Sequence, residues 1–196
     1  KKMGLPIDRL VAATNQNDIL HRCISTGDYA PSGVIPSISP SMDIEVSSNF
    51  ERALFFAYGK DGGAVSQLMD ELKAGKFSVS QGALHALRED FDSDRASEDE
   101  TRATITQMRR DTQEVLCPHS AIGVKVADEQ RKPDVPMITL ATAHPAKFPD
   151  AVEAATGIRP ALPPHMAGLF EREERVTRVA NDLAALKTLI KERISN

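Results

Sequence analysis

The sequence predicts an α/β fold with a mostly parallel sheet. Two short apolar runs carry this expectation, Arg9–Thr14 (R-L-V-A-A-T) and Met137–Ala141 (M-I-T-L-A). Each lacks polar alternation, as strands buried on both faces do, and each leads through polar residues into a helical pattern. A stretch of amphipathic helical segments lies between them, giving the order strand–helix, helical insertion, helix–strand–helix, helix. Two strands cannot close a sheet, so the remaining strands are expected from a longer chain.

Taken in order, Lys1, Lys2 and Met3 before Gly4 and Pro6 read as the last turn of a helix whose body is not in the sequence. Arg9–Thr14 is the first strand. Asn15-Gln16-Asn17-Asp18 is a polar turn, with Asp18 placed to cap a helix over Ile19–Thr26 that Gly27 ends. Residues 28–43 carry Pro31, Pro36 and Pro40 and read as a long ordered loop. Ser48-Asn49-Phe50-Glu51 fits a capping box for a helix ending near Gly59. Helical spacing then recurs at Val65, Leu68, Met69 and Leu72, and at Leu84, Leu87 and Phe91 behind Ser80. A third segment follows a second capping box, Ser97-Glu98-Asp99-Glu100, with Thr101, Ile105, Met108 and Val115. Pro118 opens another helix, Met137–Ala141 is the second strand, and Phe148–Thr156 is a short helix stopped by Gly157. A periodic final helix is expected over Leu169–Ile194. The chain divides accordingly into a partial α/β region (1–60), a helical insertion (61–116) and the rest of the α/β region with the terminal helix (117–196).

Composition narrows the function classes. The chain has 196 residues, 41% of them hydrophobic and 27% charged, with a formal net charge of −4. That balance is ordinary for a globular protein and does not favour a nucleic-acid partner. The cysteines, Cys23 and Cys117, are too few for a disulfide framework and share no metal-ligand spacing with histidines. No run is long and apolar enough for a membrane helix, and no signal-peptide pattern opens the chain. A cytoplasmic setting is expected.

In open α/β sheets ligands sit beyond the carboxyl ends of the strands. Thr14–Asn17 and Thr142–His144 occupy such positions; the first could bind a phosphate or simply turn the chain. The second opens the run Thr142-Ala143-His144-Pro145-Ala146-Lys147-Phe148, which resembles the threonine synthase signature T-A-H-P-A-K-F. Three further blocks resemble the same family in order: residues 4–18 (G-L-P-I, R-L-V-A-A-T-N, N-D), residues 39–52 (S-P-S-M-D-I, S-S-N-F-E-R), and Cys117-Pro118-His119-Ser120-Ala121 with Gly123. The resemblance implies the C-terminal portion of a pyridoxal-phosphate (PLP) enzyme of fold type II, the tryptophan synthase β-like fold. Such an enzyme converts O-phosphohomoserine and water to L-threonine and phosphate, a carbon–oxygen lyase reaction on a phosphate ester. It implies that the Schiff-base lysine and the loop holding the cofactor phosphate lie upstream, so that no catalytic residue falls in these 196 and the N-terminal remainder of the enzyme is the partner. Thr142 is implied as the residue that meets the pyridine nitrogen. Asn15, Ser41, Asn49, His119 and His144 are candidates to line the site, whereas Lys147 is expected to be a surface or phosphate-steering cation. A non-catalytic ligand-binding or interaction module on the same fold is the alternative.

Overall fold

The computed structural model describes residues 1–195. Residues 1–161 form one compact unit and the described residues from 162 onward a second.

The first unit is built on a parallel pair of strands, β1 (Leu10–Thr14) and β4 (Phe91–Arg95), in the register Leu10 with Phe91 through Thr14 with Arg95. The sequence reading finds β1 but takes residues 91–95 for part of a helical stripe and an acidic linker. F-D-S-D-R has little strand propensity, and its pairing with β1 across a long separation overrides that weakness. Helices α1 (Ile19–Thr26) and α6 (Pro118–Gln130) both pack against this pair. Helix α1 ends where Gly27 adopts φ +90°, which needs a residue without Cβ; a Cβ there would also press on Leu84 at 3.1 Å.

Helices α2 (Phe50–Ala57), α3 (Gly62–Lys73) and α4 (Gln81–Asp90) follow, with a small antiparallel pair of β2 (Asp28–Tyr29) and β3 (Phe77–Ser78). Their apolar faces meet α1 in one core, where Ile19, Cys23, Tyr29, Leu54, Leu68, Phe77, Leu84 and Leu87 are buried together. Tyr29 stacks on Phe77 with centroids 4.7 Å apart and on Phe50 at 5.8 Å, while its hydroxyl accepts the Ser47 N–H. Burial pushes the Cys23 thiol up to about 12, so it stays a neutral core residue.

Helix α5 (Glu98–Thr112) starts on the Ser97 capping box that the sequence predicts, with both reciprocal bonds formed. It ends at Gln113 in the left-handed region, so Val115 lies beyond it. It packs on α6 and on α7 (Pro149–Thr156).

Several local expectations are corrected. Ser48 does not cap α2; Asn49 holds the N-cap position without a side-chain cap bond. Asp18 stands at the N-cap of α1 but spends its carboxylate on Arg22 and Arg95, at 2.9 and 2.8 Å, instead of on helix N–H groups. Lys1–Met3 form no helix; Lys1 and Lys2 instead pair with Asp90. Met137–Ala141 is not a strand: it has no ladder partner, and Ile138 and Leu140 are 81% and 76% exposed. In the second unit only α8 (Leu183–Ile194) is helical among the residues expected to form the long final helix.

Candidate functional site

Helix α6 organises the site because its first turn carries three polar side chains. Cys117 is the N-cap, and its sulfur accepts the Ser120 N–H at 3.4 Å; Pro118 occupies the first helical position, where a missing N–H costs nothing. The chain returns alongside this helix in the opposite direction. Thr139 passes Gly123 so closely that a Cβ at Gly123 would lie 2.9 Å from its methyl group, and Thr142 reaches Ser120 one turn earlier. The Thr142 N–H donates to Ser120 Oγ at 3.1 Å. The two hydroxyl oxygens are 3.3 Å apart, and the Thr142 hydroxyl is 3.8 Å from Cys117 Sγ. Ser120 and Cys117 are buried, whereas Thr142 is exposed and can offer its hydroxyl to a ligand.

His119, between Pro118 and Ser120, is also buried. Its Nε2 accepts the Ser41 N–H at 3.2 Å, which places the ring proton on Nδ1, and Nδ1 has no protein partner. The ring lies against Phe148 with centroids 4.6 Å apart. Burial, with a smaller contribution from the Lys147 charge, holds the imidazole below its ordinary pKa; the Asp43 charge opposes both.

Ser41 belongs to the loop that connects this helix end to the end of β1. Asn15, buried directly after β1, donates from Nδ2 toward Ser37, Ser39 and Asp43, and its carbonyl accepts the Asn17 N–H. Asp43 also receives the Asn17 amide, the Ser37 hydroxyl and the Ser37 N–H. Hydrogen bonds thus link Asn15 through residues 37–43 to His119, and link Thr142 to Ser120, the next residue along the first turn of α6.

Of the residues singled out from sequence, Asn15, Ser41, His119 and Thr142 take part in these links. His144 lies two residues beyond Thr142, and its Nδ1 accepts the Ala146 N–H to cap the single 3₁₀ turn Pro145–Lys147. Asn49 is elsewhere. It bonds Arg52 and lines a recess of about 560 Å³ with Lys2, Arg52, Phe56 and Asp90, which touches none of the other candidates. Sequence reasoning does not single out Ser120, Asp43 or Phe148, although each lies inside a block it quotes; only the geometry reveals what they hold. Among the described residues no cluster of histidine, cysteine and carboxylate groups could hold a metal ion.

A family model described as "Threonine synthase, C-terminal" matches residues 120–190. The chain is 51% identical over 195 residues to a protein of Pseudomonas aeruginosa named threonine synthase, covering 98% of this chain and 42% of that protein. Among solved structures, the PLP-bound threonine synthase from Brucella melitensis superposes with a TM-score of 0.90 at 49% identity, over 97% of this chain and 41% of that one. Threonine synthase from yeast superposes with a TM-score of 0.84 at 35% identity, over 99% and 43%. The chain therefore spans about two fifths of the length of the relatives it matches.

Proposed function

This chain belongs to the threonine synthase family, and from that premise we propose that it forms part of an enzyme converting O-phosphohomoserine and water to L-threonine and phosphate with PLP as cofactor. When bound, the cofactor supplies an electron sink that eases proton removal beside the substrate amine and departure of the phosphate. The chain's own residues bind and orient. The observation that carries the reading is the exposed Thr142 hydroxyl, backed by buried Ser120 at 3.3 Å and anchored to it by the Thr142 N–H as well. A hydroxyl can donate to an unprotonated heteroaromatic nitrogen or accept from a protonated one. It therefore fits a pyridine ring without fixing the charge of that ring as a carboxylate would.

The other linked residues have supporting roles in this reading. Asn15 and Asp43 hold residues 37–43 beside the site, and His119 ties that loop to α6 through the Ser41 N–H. Lys147 is exposed and steers anions toward the site without bonding the cofactor carbonyl. Residues 61–116, expected to be a helical insertion, also supply β4 to the parallel pair and α3 and α4 to the shared core, and in this reading they shape the site without taking part in its chemistry. The uncovered side chains of Ile138 and Leu140 are where the rest of such an enzyme would pack. No helix among the described residues is long and apolar enough to cross a membrane. A cytoplasmic location belongs to the proposal, supported by two buried, unpaired thiols.

Substitution of Thr142 in the complete enzyme tests the reading. Thr142→Val keeps the shape and removes the hydroxyl. Cofactor retention and turnover should both fall, because a buried ring nitrogen left without a partner costs about 1–3 kcal/mol. Thr142→Asp should hold the ring nitrogen protonated and change the cofactor absorption spectrum. If both variants retained PLP and turned over like the parent, the reading would be wrong.

A further inference from the structure

From the hydrogen-bond inventory of the first turn of α6, we infer that Ser120 is a positioning residue that turns the Thr142 hydroxyl outward as a donor. The inference rests on the proposed meeting of Thr142 with the pyridine nitrogen, and goes beyond it by assigning what sets the direction of that bond.

Ser120 is buried, with 4% of its surface exposed, so its hydroxyl must find partners within the protein. One lone pair of Ser120 Oγ is engaged by the Thr142 N–H at 3.1 Å. The single Ser120 hydroxyl proton has two acceptors in reach, Thr142 Oγ1 and Cys117 Sγ, each at 3.3 Å. Oxygen is the stronger acceptor, the sulfur is already engaged by the Ser120 N–H, and the Cys117 thiol proton, 3.3 Å away across the same contact, can fill the second lone pair of Ser120 Oγ. The proton therefore goes to Thr142 Oγ1. With that lone pair filled from behind, Thr142 is left with its own proton pointing at whatever lies in front. A serine locked by two bonds to the same neighbour holds that neighbour in backbone and in side chain at once.

The reverse order would have the Thr142 hydroxyl donating to Ser120 and Ser120 donating to Cys117. Thr142 would then be an acceptor, suited to a protonated ring nitrogen. This order substitutes a weak sulfur acceptor for an oxygen, so the structure favours the outward donor and an unprotonated nitrogen. Cys117 serves as the helix cap at the back of the chain of hydroxyls.

The experiment uses the complete enzyme loaded with PLP labelled with nitrogen-15 at the ring nitrogen, whose resonance reports protonation directly. Cofactor dissociation is measured in parallel. Ser120→Thr retains the hydroxyl and should keep the parent resonance. Ser120→Ala should move the resonance toward the protonated position and raise the cofactor Kd about tenfold. Ser120→Cys keeps the side-chain topology, with a larger atom and a weak donor, and should follow Ser120→Ala, which keeps the inference testable if the alanine variant fails to fold. Thr142→Val is the reference arm. If Thr142→Val shifts the resonance while Ser120→Ala and Ser120→Cys leave it at the parent position, Ser120 is only a packing residue and the inference is overturned. If Thr142→Val also leaves resonance and Kd unchanged, the reading of Thr142 itself has failed, and the inference falls with it.

Discussion

A neutral imidazole is what the surroundings of His119 permit. Its Nε2 is occupied by the Ser41 N–H, Phe148 covers its face, and burial and the Lys147 charge both oppose a second proton. The sign of the resulting pH dependence follows from linkage. Above the ordinary histidine value of about 6.5, folded and unfolded chains both carry the neutral ring and the group contributes no slope. As pH falls through that value the unfolded chain takes up a proton that the folded chain refuses, and stability is lost until the lower folded pKa is reached. Urea midpoints between about pH 7.5 and pH 5.5 should therefore fall less steeply in His119→Asn than in the parent. Equal slopes would mean that the ring protonates freely in place. At this scale the sequence is legible in part. Thr142, His119, Asn15 and Ser41 are found because they lie in runs with a recognisable pattern. Ser120 and Asp43 are not, because what distinguishes them is the number of donors that reach them, which depends on chain segments far apart.

Helix ends divide into those written locally and those decided by the fold. Ser97 caps α5 with its own neighbour three residues on, so the signal is complete within four residues and the structure matches it. Ser97→Ala should lower stability by about 1 kcal/mol in chemical denaturation without changing PLP affinity. Gly123 is the opposite case. Its environment is Thr139 at 2.9 Å, on the segment that ends at Thr142. Gly123→Ala must push that segment away from α6, so it should weaken PLP binding by more than Ser97→Ala does. A parent-like affinity would mean that Thr142 is not held by this close approach. Asp18 shows how a local signal is overruled, since two arginines bind its carboxylate more strongly than helix N–H groups can. The segment Met137–Ala141 shows a further limit. An apolar run states that it prefers to be buried between neighbours but not who they are, and among the described residues none pairs with it. β4 fails in reverse: its charged sequence hides a strand that only β1 makes visible.

At the scale of the molecule, the parallel pairing of β1 with β4 is what brings the end of β1, and therefore Asn15, beside α6. The α/β class with parallel pairing is legible from the sequence, whereas the shared core of α1 with α2–α4 is not, because helical periodicity marks a buried face without naming its partner. The register has a consequence in time. Leu10 leaves the ribosome about 80 residues ahead of Phe91, which at roughly 5–20 residues per second is a wait of about 4–16 s. Through that interval the edge of β1 that β4 will cover is unpaired, open to chaperones and to neighbouring nascent chains. Stalled ribosome complexes should make this visible. Chains arrested with α4 outside the exit tunnel and β4 still within it should be cut by protease near Val11, and chains arrested after β4 and α6 have emerged should be protected there. Equal protection at both lengths would show that β1 finds shelter before β4 exists.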